Sequence, residues 1–323
     1  MKKNTQNTLL SLGAVALLWL APPASAQPWP SRPLRWIVPI TAGSSPDIIA
    51  RRIAPRLAEK LAQPVLVENH PGAAHNLAMQ LVARSEPDGH TLLHAVTSLV
   101  TNAHLYQLAF DPLGDLQPVA RIANTEWVLV ARGGLGVERT EELVTLAKAN
   151  PGRLTCAITG GLPEIACRSF ASLAGIDLVY VAYKGGPQAL NDMLGGHVDL
   201  RFETAGGALP LAKQGRIRAL ASLNPRRGGA AFGGLPALSE TYPGFEFVTW
   251  QGILVRAGTP LEIVARLSAG FESALADEAV SRAVKATGNL PAYASADAFS
   301  ELIRRDFARY GKLIRELGIR AEP

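Results

Sequence analysis

Two stretches of this chain carry the residue types of an anion trap, and both follow one plan. In the first, Trp36-Ile37-Val38-Pro39-Ile40 reads as a buried strand and Ala42-Gly43-Ser44 as a tight turn. Ser45 then suits a helix cap, Pro46 the first helical position and Asp47 the first turn. Ile49, Ile53 and Leu57, with Ala50, Ala54 and Leu61, keep one helix face apolar. An abrupt helix start after a glycine turn leaves N–H groups unpaired, and these attract a carboxylate or phosphate. The same features also describe an ordinary strand-to-helix turn of an α/β protein. The second stretch runs from Leu154 through Thr159-Gly160-Gly161-Leu162-Pro163-Glu164. Both turns place glycine, proline and an acid in that order between a strand and a helix. Two such turns on facing lobes would aim two helix N-termini at one cleft.

Other residues have two readings each. Thr97-Ser98 follows the strand Thr91–Val96 and forms a further candidate polar loop, because ligands sit beyond the carboxyl ends of parallel strands. Asp47 either contacts a ligand or only favours its own helix N-terminus. Trp127, Trp250 and Tyr183 either wall a cleft or pack in a core. Glu203, at the end of the strand Val198–Phe202, either meets a ligand amine or is solvated.

Catalytic patterns are missing. His70, His75, His90, His94, His104 and His197 form no two-histidine metal motif with an acid. His90 and His94 share a strand face but have no evident third ligand. There is no Gly-x-Ser-x-Gly elbow, and Ser44-Ser45 has no nearby base in sequence. Gly133-Gly134-Leu135-Gly136 fails the dinucleotide spacing. The expectation is a protein with no catalytic residue, no metal and no cofactor.

The chain has 323 residues and a formal net charge of +5. It opens on Lys2 and Lys3, an apolar run from Leu9 to Leu20, and Ala24-Ser25-Ala26. That is the pattern of a secretory signal cleaved after Ala26, and no later run is long enough to span a membrane. No Lys/Arg cluster argues for a nucleic-acid partner. An exported, soluble protein allows Cys156 and Cys167 either to bridge a strand and the next helix or to remain buried thiols.

The remaining chain alternates as an α/β protein does, and its length suits two lobes. Strands are predicted at Pro64–Glu68, Thr91–Val96, Leu154–Ile158, Asp177–Tyr183, Val198–Phe202, Ile217–Ser222 and Phe245–Val255. Helices are predicted at His75–Arg84, Val137–Ala149, from Glu164 through Leu173, and around Leu190–Leu194. Further helices are predicted at Leu209–Gln214, Pro260–Leu275, Ala279–Thr287 and Ala296–Leu317. Asp111-Pro112 and Gln117-Pro118 read as an irregular passage toward Glu126–Ala131, and Pro225–Gly234 as a surface loop. The expected division is 1–26 signal, 27–127 with 251–323 as one lobe, and 128–250 as the other.

The ordered set of motifs resembles the periplasmic solute-binding receptors of tripartite tricarboxylate transporters, the Bug receptors. It comprises Trp29-Pro30-Ser31-Arg32-Pro33, Val38-Pro39 with Ala42-Gly43 and Asp47 through Arg51, Gln63-Pro64-Val65, and Glu68-Asn69 with Pro71-Gly72-Ala73. Pro87-Asp88-Gly89, Tyr183-Lys184-Gly185-Gly186, Gly195-Gly196 and Gly258-Thr259-Pro260 complete it. The resemblance covers nearly all of the chain after the signal. It implies a two-lobed type II periplasmic-binding α/β fold, each lobe a mostly parallel sheet flanked by helices, closing on a small organic carboxylate. It also implies delivery to the permease subunits of such a transporter by a monomeric receptor. The family's carboxylate loops map onto Ile40, Thr41, Ala42, Gly43 and Ser44 with Asp47, and onto Thr159, Gly160 and Gly161. Here the chain departs from the pattern: Ser44-Ser45 replaces a glycine-rich run, His70, Ala74 and His75 break the usual Asn-Arg-Pro-Gly-Ala-Gly-Gly-Asn, and the second loop lacks its serine. Backbone capture of an anion survives such changes, whereas ligand identity does not. A receptor that signals to a membrane sensor would use the same cleft, and an exported hydrolase is the more distant alternative.

Overall fold

Residues 29–159, 161–183, 185–227 and 232–320 are described by this computed structural model. The signal segment lies outside them, as do Gly160, Lys184 and the middle of the glycine loop at 228–231. Strand β1 (Leu34–Val38) shows why the first sheet is interior: Leu34, Trp36, Ile37 and Val38 are fully buried. A strand apolar on both faces needs helices above and below it, as in parallel α/β sheets. β1 pairs in parallel with β2 (Val65–Asn69) and β3 (Thr91–Val96). Helix α1 (Ser45–Leu61) covers one face, burying Ile49, Ala50, Ile53, Ala54, Leu57 and Leu61, the stripe its spacing predicts. On the other face, α2 (Asn76–Ala83) and α3 (Ser98–Leu105) contribute Met79, Val82, Leu99 and Val100 to the core.

The chain then departs from its sequence reading. Leu116–Thr125 is a ten-residue strand, β4, where an irregular passage was expected. Pro118 disguises it, because proline normally marks a strand edge or bulge. Here Pro118 lies opposite Leu254, beside a register shift in the antiparallel pairing with β10 (Thr249–Arg256). A second unexpected strand, β11 (Asn289–Ala294), closes the sheet's edge against β4, with its own irregularity after Pro291. The first sheet therefore runs β11-β4-β10-β3-β1-β2.

The second sheet begins with β5 (Trp127–Arg132), continues through α4 (Thr140–Ala149), and adds β6 (Thr155–Ile158), α5 (Gly161–Ala174) and β7 (Val179–Ala182). Helix α6 (Gly186–Leu194), β8 (Leu200–Thr204), α7 (Ala205–Lys213) and β9 (Ile217–Ser222) follow, giving the order β7-β6-β8-β5-β9. β6 is parallel to β7 and β8, whereas β5 is antiparallel to β8 and β9. Cys156 on β6 and Cys167 on α5 are joined in a disulfide inside this lobe's core. Ile165 and Phe170 of α5 are buried, but Leu173, expected beside them, is exposed. After a short α8 (Leu238–Thr241), the expected strand from Phe245 starts only at Thr249. Phe245 and Phe247 instead pack among Phe170, Phe202 and Tyr310.

The chain returns through β10 to α9 (Leu261–Leu275), α10 (Glu278–Ala286), β11 and the long α11 (Ala296–Glu316). No helix among the described residues is long and apolar enough to cross a membrane. Trp127 thus sits in the second sheet, and Thr249 and Trp250 in the first. α11 buries Phe299 directly over Gly252 of β10. A Cβ there would lie 2.3 Å from the Phe299 ring and 2.9 Å from the Ala120 carbonyl oxygen. Gly252→Ala should therefore push α11 off the sheet and cost on the order of 2 kcal/mol by overpacking. Urea unfolding should show the loss, and an unchanged midpoint would contradict this packing.

Candidate functional site

The turn after β1 is closed by its own acid. Asp47 is 3% exposed, and its carboxylate accepts from Gly43 N at 2.9 Å, Asn69 Nδ2 at 3.0 Å and Arg51 Nε at 2.9 Å. Burial alone would raise its pKa, but these bonds and the Arg51 charge hold it below the ordinary carboxylate value. Ser44, not Ser45, is the residue before the first helical turn, and its N–H donates to Thr41 O. Thr41, Ala42 and Gly43 are exposed, with Gly43 at a positive φ of 82° that glycine adopts without steric cost. The Gly43 N–H is thus already engaged within the turn.

Between the two sheets lies a cavity of about 540 Å³. On the first lobe's side it is bordered by Ile40, Pro46, Thr97 and Ser98, and on the second lobe's side by Thr159 and Gly161. Four helices begin at or beside its wall: α1 one residue before Pro46, α2 just after His75, α3 at Ser98 and α5 at Gly161. Each brings the positive end of its dipole to the cavity. The rest of the wall is uncharged: Thr101, Asn102, Thr125, Thr249 and Gln251 are polar, and Val96, Leu105, Tyr106, Trp127 and Leu162 make the larger, apolar part of it. No arginine, lysine or carboxylate borders it among the described residues. Such a wall suits an anion held by dipoles and hydroxyls.

In the sequence His75 is one of six histidines without a metal motif, the expected start of a helix, and a departure from the family pattern; the helix starts at Asn76. Ala73, Ala74 and His75 all adopt positive φ, at 46°, 52° and 81°. Three consecutive non-glycine residues in this region carry strain that surrounding contacts must hold. Asn102 does so, donating to Ala74 O at 2.7 Å and Asn76 Oδ1 at 2.9 Å. The result turns His75 into the cavity, its Nδ1 2.9 Å from Ser98 Oγ. Burial lowers the imidazole pKa, so it is neutral at neutral pH. The sequence offers no base near Ser44-Ser45 and does not single out Ser98 with His75; the fold brings this pair together from 23 positions apart.

Other sequence candidates go elsewhere. Tyr183 borders a smaller space of about 170 Å³ beside Thr159 and Gly161, and its hydroxyl donates to Asp192. Glu203 is buried, paired with Arg201 at 2.7 Å, and off the cavity wall. Trp250 alone among these also borders the cleft cavity, although it is 1% exposed and its indole donates to Asp306. His94 is fully buried, stacked on Trp36, with Nε2 2.9 Å from Gln251 Oε1. Asn289 extends that contact, donating to Ser45 Oγ at 2.6 Å and accepting from Gln251 Nε2 at 3.1 Å. Among the described residues no group of three metal-ligating side chains occurs.

Two sheets of this topology facing one cleft define a two-lobed periplasmic-binding architecture. The model of the tripartite tricarboxylate transporter family receptor matches residues 49–319, and the chain belongs to that family, which includes the Bug receptors. Its members are periplasmic solute-binding receptors. A UPF0065 protein of Bordetella bronchiseptica is 34% identical over 96% of this chain and 93% of its own. Protein BugT of Bordetella pertussis is 31% identical over 94% and 95%. Among solved structures, R. palustris Rpa4515 with adipate has a TM-score of 0.78 at 29% identity, covering 90% of this chain and 99% of that one. MatC of Rhodopseudomonas palustris with bound malate has 0.73 at 27%, covering 88% and 100%.

Two outcomes follow for this site. Burial pushes the His94 imidazole down to about 4, against the opposing pull of Gln251 and Asp47, from an ordinary value of 6.5. The unfolded chain therefore binds a proton that the folded one refuses, and stability falls as pH drops from about 6.5 toward 4. Thermal unfolding across that range should decline less steeply in His94→Gln; parallel profiles would refute the assignment. Ala74→Gly, at an exposed and strained position, should gain about 1 kcal/mol in chemical denaturation, and a loss of that size would show that the loop is unstrained.

Proposed function

We propose that this chain is an exported receptor that captures a small organic carboxylate between its lobes for the permease subunits of a tripartite tricarboxylate-type transporter. The observation that carries the reading is the meeting of four helix N-termini on an uncharged wall that mixes neutral donors with apolar surface. The relatives with adipate and malate supply the ligand class. The ligand carboxylates would sit against Ser98 and Thr97 on one side and Thr159 and Gly161 on the other. Ile40 and Pro46 would flank them, and Asp47 would hold the first turn from behind. The lobes would divide near 127 and 250, and would hinge where the chain crosses at Thr125–Trp127 and Val248–Trp250. The segment to Ala26 would direct export and be removed. The receptor would act as a monomer, with no catalytic step, cofactor or nucleic acid.

A second reading draws on the Ser98–His75 contact, which has the spacing of a nucleophile and its base. His75 has no carboxylate partner among the described hydrogen bonds to orient it, which favours the receptor. A fluorophosphonate probe that labels Ser98 and loses that label in His75→Ala would reverse the preference.

Gly206 of α7 and Gly288 before β11 touch across the lobes, and a Cβ on Gly206 would lie 2.4 Å from Gly288 Cα. Gly206→Val should wedge the lobes apart and weaken binding by about tenfold, since a ligand must then work against the open state. Native mass spectrometry of periplasmic protein should show a bound acid, and calorimetry with adipate and malate should rank the class. A chain that binds no organic carboxylate in either measurement would overturn the reading.

A further inference from the structure

The crossing segments have two faces, and only one belongs to the cleft. Thr125, Trp127 and Thr249 point to the cleft, whereas Asn124, Glu126 and Val248 border a second cavity of about 520 Å³ behind them. Its walls come from both lobes: α11 contributes Leu302, Arg305 and Arg309, and the segment after β9 contributes Asn224, Pro225 and Arg226. That volume is within the usual range for a small-molecule site.

Four arginines border this groove, and their engagements differ. Arg309 lies over the Phe247 ring and donates to the Glu246 carbonyl. Arg121 is half-buried, and its only described hydrogen bond is from Nε to Ala292 O. Burial, and then the charge of Arg305, lower its pKa, so two guanidinium groups repel each other here. Arg305 has only a distant contact with Asp306, at 3.7 Å, and Arg226 has no ion pair among the described residues. Three acids also face the groove. Asp306 is buried and accepts from the Trp250 indole, Glu126 accepts from Asn224 at 2.7 Å, and the Glu246 carboxylate borders the space. They would repel a polyanion yet leave the forks of Arg121 and Arg305 free for one oxyanion. A planar carboxylate matches that fork geometry and relieves a cation held away from water.

We propose that this groove is a second binding site, for a small organic monoacid whose carboxylate lies between Arg121 and Arg305 and whose apolar body rests on Val248 and Leu302. Because its walls belong to both lobes, an occupant also biases their relative position, and cleft ligand and groove ligand affect each other reciprocally. This inference does not depend on what the cleft binds.

The probe is 4-bromobenzoate. In uniformly nitrogen-labelled protein, it should shift the Arg121 and Arg305 Nε–H resonances and the Asn224 side-chain amide, and a crystal soak should place its bromine in the groove. Arg121→Gln and Arg305→Gln should each weaken the titration by about tenfold, and the exposed Arg226→Gln by about threefold. Circular dichroism checks that each variant is folded; should Arg121→Gln unfold, the Arg305 and Arg226 variants carry the test. Bromine found only in the cleft, or a titration indifferent to all three substitutions, would overturn the site. Inorganic phosphate binding equally well would overturn its assignment to an organic acid. Failure of adipate and malate to enter the cleft would leave the groove result standing.

Discussion

The cleft depends on two chain crossings lying side by side. Thr125 at the end of β4 pairs with Thr249 at the start of β10, and the Trp127 indole donates to the Thr249 hydroxyl at 2.9 Å. Trp250 N donates to Thr97 Oγ1 at 3.0 Å, which ties the crossing to the start of α3. The two sheets share no strand, so these few bonds, with the Gly206–Gly288 contact and α11, decide how the lobes face one another. Small residues and hydroxyls suit such a place. They let backbones approach closely and need only short hydrogen bonds to be satisfied.

Charge is arranged to stay out of the cleft. Asp47, Arg201 with Glu203, and Arg132 with Asp199 are each neutralised within their own lobe by bonded partners at 2.7 to 2.9 Å. A buried charge must be paired or it is costly, and pairing removes it from use by a ligand. The cleft wall is left with dipoles, neutral donors and apolar side chains. Fixed dipoles hold an anion without a counter-charge that would need its own desolvation.

The loop at Ala73–His75 shows where this chain differs from a glycine-rich version of the same turn. Glycine would adopt these conformations freely; alanine and histidine are held there by Asn102 and by the His75–Ser98 contact. What the backbone loses in strain places an imidazole in the cavity. Neutral at neutral pH, that imidazole can donate or accept according to its tautomer.

The sequence by itself determined the local units. Periodicity placed α1, β3, β9 and α9 within a few residues, because an apolar stripe or run needs only its own side chains to declare itself. It also marked the paired glycine–proline turns and the Thr97-Ser98 strand end. Only the tertiary structure decided which of these face one another. β4 and β11 went unread because prolines broke their local signal, and their pairing with β10 and with each other outweighs it. Glu203 and Tyr183 were plausible cleft residues until Arg201 and Asp192 bonded to them. The Ser98–His75 pair could not be read at all, since its contact depends on positive φ at three non-glycine residues and on an asparagine 26 positions beyond Asn76. Partners distant in sequence carry no local pattern, and the site is made almost entirely of such partners.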